Sequence, residues 1–348
     1  MKKRIITGFA LLAFAVNIGT TALADVRSKG KTARASQLVA LLPAADGVAT
    51  VDAKAFFGTA LPTVLSGNQP LLAKVTGHLD EFKGKTGIDL RQFDQMAIGF
   101  TARQITGKKF DVEHVVLARG QVNAGSLVGA AKLAANGKYR EERVGSRTVY
   151  IFAAKEIAAQ HKPQTTGSTA AGVEKGISRL PSEIAVTVYD SNTIAFGSMP
   201  MLRQTLEGKT KLGSDISTLL NGQVPAVVNF ASKMPAGMKS FLPIENDELG
   251  KNIESIRYLY GRMDVAAGSA TVQTTAMMQT AANATGLHET LEGLQLLGKA
   301  FLGSTNTADK QVYARMIDNA RFTAKGTDVT LDLVVPQSDL DILVSKIK

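Results

Sequence analysis

The sequence predicts an α+β protein built mainly from antiparallel sheet, with helices packed on one face and the whole arranged as two pseudo-repeated modules. The first observation behind this is a set of alternating apolar and polar runs joined in pairs by tight turns. "IAVTVYDSNTIAFGS" turns at Asp190-Ser191-Asn192, and "NARFTAKGTDVTLDLVV" turns at Gly326-Thr327-Asp328. The second is that each of these hairpins runs into a stretch with apolar residues at helical spacing, Leu202 and Leu206 in one case, Leu340, Val344 and Ile347 in the other. The third is order. Strand, helix, two strands, helix, two strands, helix can be written over both halves of the chain, and the hairpin-then-helix unit occurs at 184–208 and again at 320–347.

The elements follow from local signals. "GVATVDA" (47–53) reads as a strand. Phe56, Phe57, Ala60, Leu61, Val64 and Leu65 then fall at helical spacing, with Pro62 placed to kink or shorten that helix. Pro70 opens a second helix carrying Leu71, Leu72, Val75, Leu79 and Phe82 on one face, and Gly87 can end it. Strands are predicted at 95–102 and 112–122. A helix follows, capped by Asn123 and closed by Asn136-Gly137. Residues 138–152 form a hairpin turning at Gly145-Ser146. Residues 154–181, rich in Thr, Gly, Ala and Lys, read as a mobile insertion, because lengthening a surface loop costs only about 0.6 kcal/mol per doubling. Ser198 is placed to cap the helix after the 184–198 hairpin. In the second half, 224–232 is a strand, 233–253 is short helix or irregular, and 255–280 is a long hairpin. A helix capped near Thr285 carries Leu287, Leu291, Leu294, Leu297 and Phe301, and a further helix covers 307–318. Ser338 and Asp341 have capping-box spacing for the last helix. The modules are drawn as 43–215 and 216–348.

The N-terminus bears on location. Lys2, Lys3 and Arg4 precede an apolar run from Ile5 to Val16, and Ala22-Leu23-Ala24 is a small-x-small site. This predicts a signal peptide over 1–24, cleaved after Ala24. The run is short of the roughly 20 residues that span a bilayer. The protein is therefore expected to be exported and soluble, periplasmic or extracellular, with no transmembrane segment left after cleavage. Residues 25–42 open with Arg27, Lys29, Lys31 and Arg34 and show no apolar period, so they read as a disordered basic arm. That arm, on a chain of net charge +10, reads first as a solvated tail that keeps the chain soluble, and otherwise as a point of attraction for an anionic lipid or envelope polyanion. Nucleic acid is a poor partner for an exported chain without Trp and without aromatics interleaved with basic residues.

No catalytic, cofactor-binding or metal-binding residue is assigned. The absence of cysteine removes disulfides, thiolate nucleophiles and zinc-thiolate sites. "GKTG" (84–87) lacks the phosphate-loop glycine, since Leu79 stands there, and it ends a helix instead of beginning one. "KTG" with Ser28, Lys31, Ser191 and Asn192 has the wrong order for a serine penicillin-recognising enzyme. His78, His114, His161 and His288 have no metal-ligand spacing, and Gly125 sits directly before Ser126, which breaks the G-x-S-x-G elbow. Paired carboxylates for glycosidase work cannot be judged from sequence, but no Trp and six Tyr disfavour a sugar-stacking cleft. The apolar stretches "ALPTVLS", "FLPI" and "LQLLGKAFLG" read as core-facing helix sides or as a lipid- or partner-facing groove.

Leu42, Pro43 and Ala44, the hairpin with Tyr139, Gly145 and Tyr150, and the hairpin with Asp190, Asn192, Gly197 and Ser198 together resemble a loosely defined set of exported bacterial proteins. That resemblance implies an architecture and no catalytic residue, since those proteins are mostly of unassigned function. The reading is of a non-enzymatic binding or envelope-associated protein for an anionic or lipid-like ligand, without a cofactor. The alternatives are a hydrolase with an unrecognised site and a protein–protein assembly module.

Overall fold

The computed structural model describes residues 37–86, 89–106, 109–156, 182–235, 247–266, 268–302 and 308–347. The predicted signal peptide, most of the basic arm, most of the 154–181 insertion and the "FLPI" stretch lie outside the described residues. No described helix is long and apolar enough to cross a membrane.

The strands are β1 (Gly47–Asp52), β2 (Phe93–Thr106), β3 (Lys109–Gly120), β4 (Tyr139–Val144), β5 (Arg147–Phe152), β6 (Ile184–Asp190), β7 (Thr193–Gly197), β8 (Val228–Lys233), β9 (Ile256–Ala266), β10 (Ser269–Met278), β11 (Arg321–Lys325) and β12 (Asp328–Pro336). They form one twelve-stranded sheet in the order β11-β12-β10-β9-β8-β1-β2-β3-β7-β6-β5-β4. Neighbours pair antiparallel throughout, and the halves join where β1 meets β8, with Gly47 opposite Ser232 and Val51 opposite Val228. Outward from that seam the order is β1-β2-β3-β7-β6 on one side and β8-β9-β10-β12-β11 on the other. The first half extends further with β5 and β4.

The helices are α1 (Ala53–Ala55), α2 (Leu61–Val64), α3 (Gln69–Thr86), α4 (Ala124–Ala135), α5 (Met199–Glu207), α6 (Ser214–Asn221), α7 (Asp247–Glu254), α8 (Ala281–Leu302), α9 (Ala308–Asn319) and α10 (Gln337–Ser345). Their placement differs between the halves. In the first half both faces of the sheet are covered. Met201 and Leu202 of α5, Ile216 and Leu220 of α6, and Leu38 and Leu42 pack on one face against Val48, Ala97, Val115, Leu117 and Ala195. On the other face Ala53, Ala124 and Leu127 pack with Phe93, Ala118 and Ile194. In the second half α8 and α10 cover this latter face, while on the first face α6 reaches only over β8 and β9, packing with Ala231 and Tyr260. Leu340 of α10 meets Met263, Val272, Leu333 and Val335, while Ala284 and Leu287 of α8 meet Ala276, Met278 and Val329. Helices on one face therefore describes the outer strands of the second half, β10, β12 and β11.

The residues dictate the contrast. β1 offers apolar or small side chains on both faces and is buried along nearly its whole length. β10 reads "SATVQTTAMM", with Ala270, Val272 and Ala276 on the covered face and Thr271, Gln273 and Thr275 on the open one, the pattern of a sheet wet on one side.

Several boundaries differ from the sequence reading. Leu38, Val39 and Leu42 are buried, so the folded part begins ahead of Pro43, inside the stretch read as a basic arm. Residue 215 lies in the first turn of α6, which packs on β1, β8 and β9 alike, so the boundary at 215/216 cuts a helix that belongs to both halves. Asn123 caps α4 as expected, its Oδ1 accepting from Ser126 N at 2.8 Å. Ser198 instead donates its hydroxyl to His114 O (3.1 Å) and accepts from His114 N (3.2 Å), tying the end of β7 to β3. Thr280, not Thr285, caps α8, accepting from Asn283 N at 3.1 Å. The Ser338–Asp341 box does not form. Pro336 is the N-cap of α10, and Asp341 Oδ1 accepts from Ser66 Oγ and Gln337 Nε2.

Buried Asp89 fastens the end of α3 to the start of β2. Its carboxylate accepts from Arg91 Nε (2.8 Å) and lies 3.1 Å from Lys83 Nζ. Chiefly the Arg91 guanidinium, helped by the Arg91 backbone N–H and Lys83 and opposed by burial, lowers its pKa to about 2. An acid whose folded pKa lies below its unfolded value contributes stability above the unfolded value, near 4, and loses it as pH falls through the folded one, here worth about 2 kcal/mol. Asp89→Asn is therefore expected to cost that much at pH 7 in urea melts, with the gap from wild type closing between pH 4 and pH 2. An unchanged gap at pH 2 would contradict the assignment.

Candidate functional site: an apolar pocket between helical segments

Pro62 shapes the site. A proline has no N–H to donate, and its ring collides with the carbonyl four residues back. The chain responds by widening the helix just before it. Residues Phe56–Ala60 form a π-helical turn, and Leu61 N donates to Phe56 O, five residues back. Where the sequence suggests a kinked or shortened helix, α1, the π-turn and α2 run on without a gap. Such turns recur at functional sites. Here Phe56 and Phe57 project together, their rings 5.1 Å apart and nearly perpendicular.

The second wall is α3. Asn68 starts it, with Oδ1 accepting from Leu71 N at 3.0 Å, and presents Leu71 and Val75 one turn apart. The end of the chain supplies the third side. Asn68 Nδ2 donates to Val344 O (2.7 Å) and Ile347 O (3.1 Å), and Gln337 Nε2 lies 2.8 Å from Thr63 O. Gly67 permits this docking, because a Cβ there would sit 2.4 Å from Asp341 Cα. Leu61, Leu65 and Val344 form the buried floor.

Between these segments lies a cavity of about 370 Å³ lined by Phe56, Phe57, Leu61, Leu65, Leu71, Val75 and Ile347. Every lining side chain is apolar. Ile347, at the mouth, remains 45% exposed. The cleft is open to solvent at that mouth, its apolar walls suit an apolar guest, and its volume lies within the roughly 300–1,000 Å³ typical of ligand pockets. Lys54, Lys74 and Lys346 are exposed on the flanking segments, and among the described residues none of the three has an ion-pair partner.

Two other places carry less. Lys132 Nζ sits over the rings of Tyr150 (4.6 Å) and Tyr139 (5.2 Å) and bonds Glu141 at 2.9 Å, so the protein's own cation fills that aromatic notch. The open face of the second half carries a polar ladder. Arg262 Nε donates to Gln273 (3.1 Å), Gln273 Nε2 to Asp332 (2.8 Å), and Tyr260 OH to Asp328 (2.9 Å). Burial, with the Asp328 carboxylate second, pushes the Tyr260 hydroxyl up to about 12. These groups satisfy one another along the sheet.

The residues weighed in the sequence do not converge. His78 is on exposed α3 beside Glu81, His288 bonds Phe322 O, and His161 lies outside the described residues. Among the described residues no group of His, Asp and Glu is arranged to hold a metal. Gly84, Lys85 and Thr86 of "GKTG" end α3, and Gly87 lies outside the described residues. Of the apolar stretches, "ALPTVLS" supplies Leu61 and Leu65 to the pocket, and "LQLLGKAFLG" leaves Leu296 and Leu297 exposed at 69% and 57%. Phe56, Phe57, Leu71 and Val75 carried the signal of ordinary helix faces, and nothing local marked Ile347 as their neighbour.

No family model matches the chain, and no curated protein matches it. Among solved structures, crystal form I of TP0453 aligns with a TM-score of 0.44 at 9% identity, covering 88% of this chain and 96% of that one. Crystal form III gives 0.43 at 9% identity, covering 93% and 100%, and form IV gives 0.41 at 10%, covering 87% and 93%. Similarity at that level carries no argument about function.

Proposed function

We propose that the protein is an exported, non-enzymatic binding protein that holds a lipid-like ligand in the pocket between the π-turn, α3 and the chain end. The observation that carries this reading is the uniformly apolar lining. Such a pocket supplies burial and shape, and it presents no acid, base or nucleophile to a bound molecule, which favours binding over turnover.

The expected signature is a chain-length ladder. Burying a methylene is worth about 0.8 kcal/mol, so two more carbons tighten binding roughly tenfold until the cavity is full. Displacement of an apolar fluorescent probe by linear alcohols from hexanol to tetradecanol reads this directly. Affinity should climb and then level off. A flat series would sink the reading.

Assembly through a free sheet edge gains less support. The edge strands are β4, which reads "YREERV", and the five-residue β11, "RFTAK". Short, charged edges resist pairing with another chain. The exposed Leu296 and Leu297 leave association through α8 as the form an interaction module would take, and sedimentation across a concentration series tests it.

A further inference from the structure

We infer, resting on the pocket reading, that the turn after α10 is the moving wall of the pocket, with Ile347 as its gate and Asn68 as the latch that holds it shut. Six of the seven lining residues lie between Phe56 and Val75, and the seventh is Ile347. The two sides are held together unequally. Up to Val344, α10 is fixed several times over. Leu340 and Val344 are buried, Gln337 Nε2 lies 2.8 Å from Thr63 O, and Ser66 Oγ donates to Asp341 Oδ1 at 3.0 Å. Beyond Val344 the hold thins. Ile347 N donates to Val344 O (3.0 Å) within its own turn, and Lys346 N reaches Leu343 O at 3.4 Å. Among the described residues, the one hydrogen bond that ties Ile347 to another segment runs from Asn68 Nδ2 to Ile347 O, at 3.1 Å.

Asn68 meets every wall. Its Nδ2 also donates to Val344 O (2.7 Å), its Oδ1 accepts from Leu71 N (3.0 Å), and its backbone N–H donates to Leu65 O (2.9 Å). Leu65, Leu71 and Ile347 are all lining residues. The bond to Ile347 O is exposed, so breaking it trades one hydrogen bond for another with water, at small net cost. Lids are drawn from the least firmly held parts of a fold, and Ile347 can swing out while Val344 stays buried. A gate sets both rates: whatever raises its open population speeds entry and exit together. A fixed wall acts on exit alone.

The test uses the full chain and N-phenyl-1-naphthylamine, an uncharged apolar fluorophore. Stopped-flow mixing reads its entry, and a chase with excess dodecanol reads its exit. Asn68→Asp separates latch from cap. Aspartate caps a helix as well as asparagine does, so the bond from Leu71 N is kept, but an ionised carboxylate only accepts and cannot hold two carbonyls. Both rate constants should rise about tenfold, the factor expected for losing one or two ordinary hydrogen bonds. An entry rate equal to wild type overturns the inference, whether or not exit quickens, and the pocket reading stands. Should Asn68→Asp fail to fold, Ile347→Ala decides on the same criterion, since it removes the gate side chain and no hydrogen bond. If wild type does not bind the probe, or Leu71→Trp leaves the signal intact, the pocket reading falls and the gate with it.

Discussion

Replacing Gly197 by alanine lowers the unfolding free energy by about 4 kcal/mol, as read from the shift of the urea midpoint at unchanged slope. Gly197 ends β7 at φ +149°, a backbone conformation that L-residues rarely adopt and that costs about 1–3 kcal/mol when forced. A Cβ would also meet His114 O at 2.2 Å and Val115 Cα at 2.9 Å. Those are backbone atoms of β3, the strand β7 pairs with, and they cannot retreat without opening the ladder. Overpacking of this kind costs about 1–3 kcal/mol more. Because β7 is the strand that lies between β3 and β6 in the sheet, the damage would reach β4, β5 and β6. A loss under 1 kcal/mol would mean that the strand end relaxes freely and that the Ser198–His114 contacts do not hold it.

The second large effect concerns the pocket. Leu71→Trp places an indole where a half-exposed leucine lines the mouth, in a cavity of about 370 Å³. Affinity for dodecanol is expected to fall a hundredfold or more, because the ring occupies the space the chain would take. Stability should change by less than about 1 kcal/mol, since the indole enters existing space instead of displacing packed neighbours. The Asn68 contact with Leu71 N is a backbone contact and survives the change. Val75→Trp, on the next turn, provides an independent copy of the test. If both variants fold and bind as wild type, the ligand sits elsewhere.

Local chemistry made much of this fold readable. The hairpins 139–152, 184–197 and 321–336 announced themselves by alternation and by Gly145, Asp190 and Gly326 at their turns. Asn123 and Asn136 marked both ends of α4, where Asn136 adopts the left-handed conformation. Other features depend on contacts that no local window contains. Ser198 has the chemistry of a cap, yet its hydroxyl is taken by His114, 84 residues away. Asp341 has capping-box spacing, but Ser66 and Gln337 claim it. The pocket is the clearest case. Its phenylalanines and leucines could be seen as apolar helix faces, but their failure to close on one another is a property of the π-turn that Pro62 imposes and of where the last helix docks. The covering of the sheet was half legible. The contrast between "GVATVD" and "SATVQTTAMM" distinguishes strands buried on two faces from one wet on a single face, once both are known to share a sheet.

The seam at β1 and β8 has a kinetic meaning. Lys233 N donates to Asp46 O at 2.7 Å, and Ser232, paired with Gly47, lies 186 positions from Asp46 in sequence, so the middle of the sheet is its most non-local part. Long-range pairings of this kind form slowly, because the loop must be closed before the contacts reward it. Until β8 arrives, β1 offers a bare, strongly apolar edge in the sequence "GVATVD". A half-formed chain is therefore most vulnerable at what becomes the best-protected strand of the finished molecule. The finished sheet has charged, short edges, whereas a chain in which β1 had not yet met β8 would show an apolar one, which the second half covers.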